Sequence, residues 1–315
     1  MKKNDSVMYA YYQSNMNANQ SGGGVDESGQ QYRKQSQTKE VWRRFKKNRL
    51  AVVGLVILVV LILLAIFAGM FCDYDTKVIG QNYMERLQTP NAQHLLGTDS
   101  YGRDILARII YGSRLSLSIG FLSIFSSLIL GMVLGCISGY YGGLVDGVIM
   151  RITDIFLAVP PLLLAIAVVG VLGPTFLNLI IAMSVGYVPY FARVVRAPIL
   201  QIRDKEYIEA AKAVGTGEFR IIVRHVLPNI LSPIIVQVSI SVADAIKSAA
   251  SLSFIGLGIQ PPAPEWGTML AEGQDFIRQY PHLIIYPGII IVITILALNL
   301  IGDGLQDAVN PKLKN

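Results

Sequence analysis

Residues 206–228 read EYIEAAKAVGTGEFRIIVRHVLP, a charged, glycine-broken stretch set between long apolar runs. It parses as two short helices meeting at a glycine. Asp204 stands where an N-cap is needed, Lys205 to Val214 is helix-forming, and Gly215 suits the left-handed residue that ends a helix. Thr216 is then placed to cap a second helix, ending before Pro228. A capped helix pair is a rigid bump, suited to docking into a groove on a soluble partner.

The rest of the chain is unlike this stretch. Of its 315 residues 52% are hydrophobic and 15% charged, too apolar a balance for a soluble domain of that length. The composition predicts an all-α polytopic membrane protein. A span takes about 20 apolar residues, and runs of that kind fall at 51–71, 115–138, 148–172, 176–193, 230–257 and 283–302, predicting six transmembrane helices. The run from Ala51 lacks a small-residue cleavage site, so it is expected to stay as a span rather than act as a signal peptide.

The 27 Lys and Arg against 21 Asp and Glu lie mostly beside apolar runs, so they read as topology signals rather than a nucleic-acid surface. Residues 1–38, rich in Gln, Ser, Asn and Gly, read as a disordered cytosolic tail, and 39–315 as the membrane domain. Lys39, Arg43, Arg44, Lys46, Lys47 and Arg49 precede the first span and place the N-terminus inside. Six crossings put the C-terminus inside too. The loop 193–229 then faces the cytosol, and its Arg193, Arg196, Arg203, Lys205, Lys212, Arg220 and Arg224 agree with that orientation.

Within the spans, Gly131, Gly135, Gly139, Gly143 and Gly147 recur every four residues, a pattern for close helix packing. Pro160 and Pro161 break the third span and free backbone groups, which suits a helix lining a path. Asp244 and Lys247 lie three residues apart on the fifth span, where facing lipid is costly. They are expected either to pair against another helix or to line the translocation cavity. The outer segment Thr98 to Asp104 reads as a polar turn feeding an amphipathic surface helix, Ile105 to Ser113, and PPAPEWG as a turn with Trp266 at the interface. Cys72 and Cys136 are far apart, and His94, His225 and His282 lie in separate segments, so no metal site is expected.

Glu209, Ala210 and Ala211, followed by Gly215 and then by His225, Val226, Leu227 and Pro228, resemble the EAA motif of type I ABC importer permeases. His225 departs from the Ile of the general pattern in a way similar to peptide-importing members. HLLGTDSYGRDILARIIYGSRLSLSIG (94–120), SLSFIGLGIQPPAPEWGTML (251–270) and WRRFKKNRLAVVGL (42–55) resemble the C-type permease of the oligopeptide, dipeptide and nickel importers. The likeness covers Val41 to Asn310.

The resemblance implies a multi-pass subunit of a bacterial cell membrane, forming the path with a homologous permease. It further implies two ATP-binding subunits holding ATP and Mg²⁺, and an extracellular substrate-binding protein delivering peptide. In it, Glu209, Ala210, Ala211, Gly215, His225, Leu227 and Pro228 couple to the ATPase. No G-x-x-x-x-G-K-[ST] occurs, so this chain is expected to bind no cofactor and to be no enzyme. A nickel-importing member is the near alternative. The distant one is a proton-driven transporter using Asp154, Asp244 and Lys247, which leaves the capped insert unexplained and lacks an obvious inverted repeat.

Overall fold

The computed structural model describes residues 23–25, 31–33 and 37–309. The chain divides into two units, one up to Lys47 and one from Asn48 onward. In the first, Gly23–Val25 pairs antiparallel with Gln31–Arg33, and a helix runs over Gln37–Phe45. The expectation of a disordered tail over residues 1–38 lies mostly outside the described residues. Trp42 stacks on Phe45 with ring centroids 5.7 Å apart, and Lys46 lies over the Trp42 ring.

The second unit is helical. Five helices are long and apolar enough to cross a membrane, and a bent pair supplies the sixth crossing when counted as one span. The first span, Arg49–Ile66, starts at Asn48, whose side chain accepts from the Ala51 amide (3.2 Å). It stops short of the expected Phe71, and a separate turn, Ala68–Phe71, follows. The second span, Ile105–Tyr141, is 37 residues long, because Asp104 caps it at the Ala107 amide (2.8 Å). The expected surface helix 105–113 is therefore the beginning of this span. The third crossing is Gly143–Leu157 and Pro161–Leu172, bent by 83° at the two prolines. Phe176–Ile202 is the fourth, Leu227–Phe254 the fifth and His282–Val309 the sixth.

Glycines set how closely these helices approach. A Cβ on Gly131 would lie 2.5 Å from Phe191 Cβ, and one on Gly135 would lie 2.6 Å from the Ala192 carbonyl oxygen. The second and fourth spans therefore pack backbone to backbone, as small residues four apart allow. Gly143 and Gly147 meet nothing within 4 Å, so the glycine repeat packs only in its first part. Gly54 plays the same part between the first and sixth spans, where a Cβ would lie 2.6 Å from the Ala297 carbonyl.

A buried ionic network closes the end of the bundle where the second span begins. Arg103 donates from Nε to Asp99 Oδ2 (2.6 Å) and from Nη2 to both Glu272 oxygens (2.9 Å each). Arg108 Nη2 also donates to Glu272 Oε2 (2.9 Å). Both guanidinium groups are almost wholly buried, at 1% and 0% exposure. Glu272 belongs to the helix Trp266–Gly273, whose Glu265 caps its own first turn at the Gly267 and Thr268 amides. Trp266 is fully buried, its indole N–H donating to the Ile109 carbonyl (3.0 Å), and so is not the interfacial anchor the sequence suggested. The 94–120 segment thus carries caps and ion pairs that hold the loops before the second span and around Trp266 to the bundle.

Candidate functional site

The insert forms the expected elbow with different caps. Its first helix is Glu206–Ala213, with Lys205 at the N-cap and no side-chain cap. Asp204 instead lies against Arg203 (3.4 Å), which corrects its capping role. Gly215 has φ +79°. Its amide bonds to the Lys212 carbonyl (2.9 Å), and the Thr216 amide reaches back to Ala211 (3.0 Å). That bond pair is a Schellman ending, available cheaply only to a residue tolerating positive φ. The N-cap of the second helix, Glu218–Ile221, is Gly217 and not Thr216.

Pro228 does not end the second helix. A π turn over Ile222–Val226 leads straight into Leu227–Phe254, so Glu218 to Phe254 runs as one span. Pro228 falls in the first turn after the π turn, where a missing N–H is tolerated.

The elbow is fastened to the membrane domain from beneath. Ile208, Ile221 and Val226 are fully buried in a cluster with Cys136, Tyr140, Val195 and Ile199. Tyr141 donates its hydroxyl to Glu218 Oε2 (2.9 Å), and Lys212 lies 5.3 Å above the Tyr140 ring. Arg203 Nη1 donates to the Gly139 carbonyl (3.2 Å). The upper face is free of such contacts. Val214 and Phe219, on either side of the glycines, are 82% and 80% exposed. Burying either would be worth about 1.5–3 kcal/mol. Glu209, Ala210, Gly215 and Pro228 are exposed, while Ala211, His225 and Leu227 are half-buried. The elbow thus gathers Glu209 to Gly215 at its tip and His225 to Pro228 at its root. Ile208, Ile221, Val214 and Phe219 escape the motif, although their apolar character in a charged stretch was the available signal.

The fifth span carries the second charged feature. Lys247 Nζ donates to Asp244 Oδ1 (2.6 Å), and the two side chains are 60% and 52% exposed. Ser251 is also exposed and donates its hydroxyl to the Lys247 carbonyl (3.0 Å). Val242, Ala243, Ala245, Ile246, Ala249 and Ala250 are buried on either side. Along this part of the helix the exposed stripe is entirely polar. The first span instead exposes Val56, Val59, Val60 and Leu63, and the sixth Val292, Ile293 and Leu296.

Pro160 and Pro161 are exposed at the bend of the third crossing, and a Cβ on Gly186 of the fourth span would lie 3.3 Å from Pro161 Cβ. The first helix of the pair, Gly143–Leu157, is pinned by Arg196, which donates to both Asp146 oxygens (2.5 Å each), and by Arg193 on Asp154 (2.5 Å). Asp154 and Asp244 therefore have separate partners. Among the described residues no cluster of His, Cys, Asp and Glu could hold a metal ion, and both cysteines are free.

Five or six apolar crossings, one of them bent, and a short charged helix pair rooted in the fifth describe a polytopic membrane protein. Residues 131–315 match the family described as binding-protein-dependent transport system inner membrane component, and residues 36–90 match the N-terminal TM domain of oligopeptide transport permease C. The dipeptide transport system permease protein DppC of Alkalihalophilus pseudofirmus is 48% identical over 90% of this chain and 93% of its own. The di/tripeptide transport system permease protein DppC of Pseudomonas aeruginosa is 42% identical over 89% and 94%. The glutathione transport system permease protein GsiD of Escherichia coli is 44% identical over 87% and 90%. An inward-facing structure of the MetNI methionine ABC transporter shares the fold, with TM-score 0.53 and 20% identity over 64% of this chain and 96% of its own. The chain belongs to the ABC importer permeases, in the C-type branch of the oligopeptide and dipeptide group. Members are membrane subunits of transporters and not themselves enzymes.

Proposed function

We propose that this chain is one of two homologous permeases in an ATP-driven peptide importer of a bacterial cell membrane. Both its termini and the 193–229 segment are cytosolic. A binding protein delivers peptide from outside, and two ATP-binding subunits, with ATP and Mg²⁺, supply the energy. Asp244, Lys247, Pro160 and Pro161 line the path. The observation that carries the reading is the elbow, held from below by Ile208 and Ile221 while Val214 and Phe219 stay exposed.

Transmission follows from helix continuity. Phe219 and the Asp244–Lys247 pair lie on the same helical span, Glu218 to Phe254. At ~1.5 Å per residue, the 25 residues from Phe219 to Asp244 span about 38 Å. A push at the elbow is therefore carried toward the wall of the path along one continuous helical span.

Peptide is favoured over nickel because the relatives are named for di- and tripeptides and for glutathione. In proteoliposomes holding both permeases and both ATPases, with the cognate binding protein outside, radiolabelled dipeptide is expected to accumulate with ATP and not without it. Accumulation of Ni²⁺ but no peptide would overturn the assignment.

A further inference from the structure

We infer that the Asp244–Lys247 pair is a self-neutralising charge station in the path, which lets this subunit pass cationic and anionic peptides alike. The inference rests on the importer reading and adds what the path does with charge. Asp244 and Lys247 are the only Asp, Glu, Lys or Arg between Arg224 and Glu265. Asp244 stands ten residues before the outer end of the span at Phe254, about 15 Å deep at ~1.5 Å per residue. Exposure to lipid at that depth is costly for either charge. The pair also stands in a stripe whose third exposed member, Ser251, is polar too. Water is the environment that fits all three.

In water a bridged pair contributes little stability, so stability is a weak reason for two charges here. Its field is another matter. At 2.6 Å the charges cancel for a solute passing at a larger distance, and neither end attracts or repels an ionic side chain strongly. A lone Asp244 would draw lysine-bearing peptides into the path ahead of glutamate-bearing ones, and a lone Lys247 would do the reverse. The bridge joins residues three apart on one helix and so needs no partner chain to form.

The test compares complexes carrying Asp244→Asn, Lys247→Gln, or both, against the parent, each first checked for co-purification of the ATPase subunits. The readout is the initial uptake rate of a lysine-containing dipeptide divided by that of a glutamate-containing one, with the same binding protein saturated by each. The binding protein's own preference then cancels between complexes. Asp244→Asn leaves a bare cation and should lower the ratio about tenfold, or about 1.4 kcal/mol. Lys247→Gln should raise it by a similar factor, and the double variant should return it to near the parent value. Since the two single variants shift the ratio in opposite directions, either suffices if the other does not assemble. An unchanged ratio in every assembled complex overturns the charge station, including the case in which the pair is merely packed against the partner permease. Loss of ATP-driven uptake in the parent itself is a different result, and it removes the importer reading along with the inference.

Discussion

Gly215→Val is expected to leave the protein in the membrane and to reduce ATP-driven uptake by about 10- to 100-fold. Gly215 has φ +79°, a region that a β-branched residue avoids at a cost of about 1–3 kcal/mol. Nothing lies within 4 Å of a Cβ built there, so the penalty is conformational and not steric crowding. The strain is relieved by abandoning the Schellman bonds from Gly215 to Lys212 and from Thr216 to Ala211, which re-aims Val214 and Phe219. The spans are untouched, so expression and insertion should match the parent. Uptake is the measurement to make. Gly215→Ala, which strains the same φ less, should fall between the two.

Glu272→Ala should lower the stability of the purified complex by about 3–5 kcal/mol, the usual penalty for removing one partner of a buried ion pair. Glu272 accepts from both Arg103 and Arg108, and its loss leaves two guanidinium groups, 1% and 0% exposed, with Asp99 as their one shared carboxylate. Thermal unfolding in detergent would register the change. Glu272→Asp keeps the charge but shortens the reach, and should recover part of the loss. Together the two variants separate the missing charge from the missing packing.

Much of the bundle was legible because lipid imposes a length and a composition on every crossing. The apolar runs marked six crossings, and Pro160–Pro161 marked the one that bends. Gly215 was legible for a related reason, since few residues tolerate its backbone angle. The misreadings concern competition between neighbours. Asp204 and Thr216 are good N-cap residues, but Arg203 lies against the side chain of one and Gly217 holds the cap position expected of the other. Pro228 reads as a stop, yet after a π turn it is a permitted first-turn residue.

What could not be read locally was long-range. Arg103 meets Glu272 across 169 residues of sequence, so the ionic network left no local signature, and Trp266 looked interfacial only because its partner Ile109 is 157 residues away. The Asp244–Lys247 bridge was legible from its spacing, but not the exposure that sets it in a polar stripe.

The most direct test of the central claim, that this elbow docks on the ATPase, is site-directed cross-linking from Phe219→Cys. Cys72 and Cys136 are first replaced by Ser, and single cysteines are then scanned through the ATPase subunit expressed with the complex. A cross-link is expected from position 219 to that subunit, formed in intact inverted vesicles and lost in Gly215→Val. The absence of any cross-link in a complex that still transports, or reaction of the 219 cysteine with an impermeant thiol reagent added outside whole cells, would contradict it.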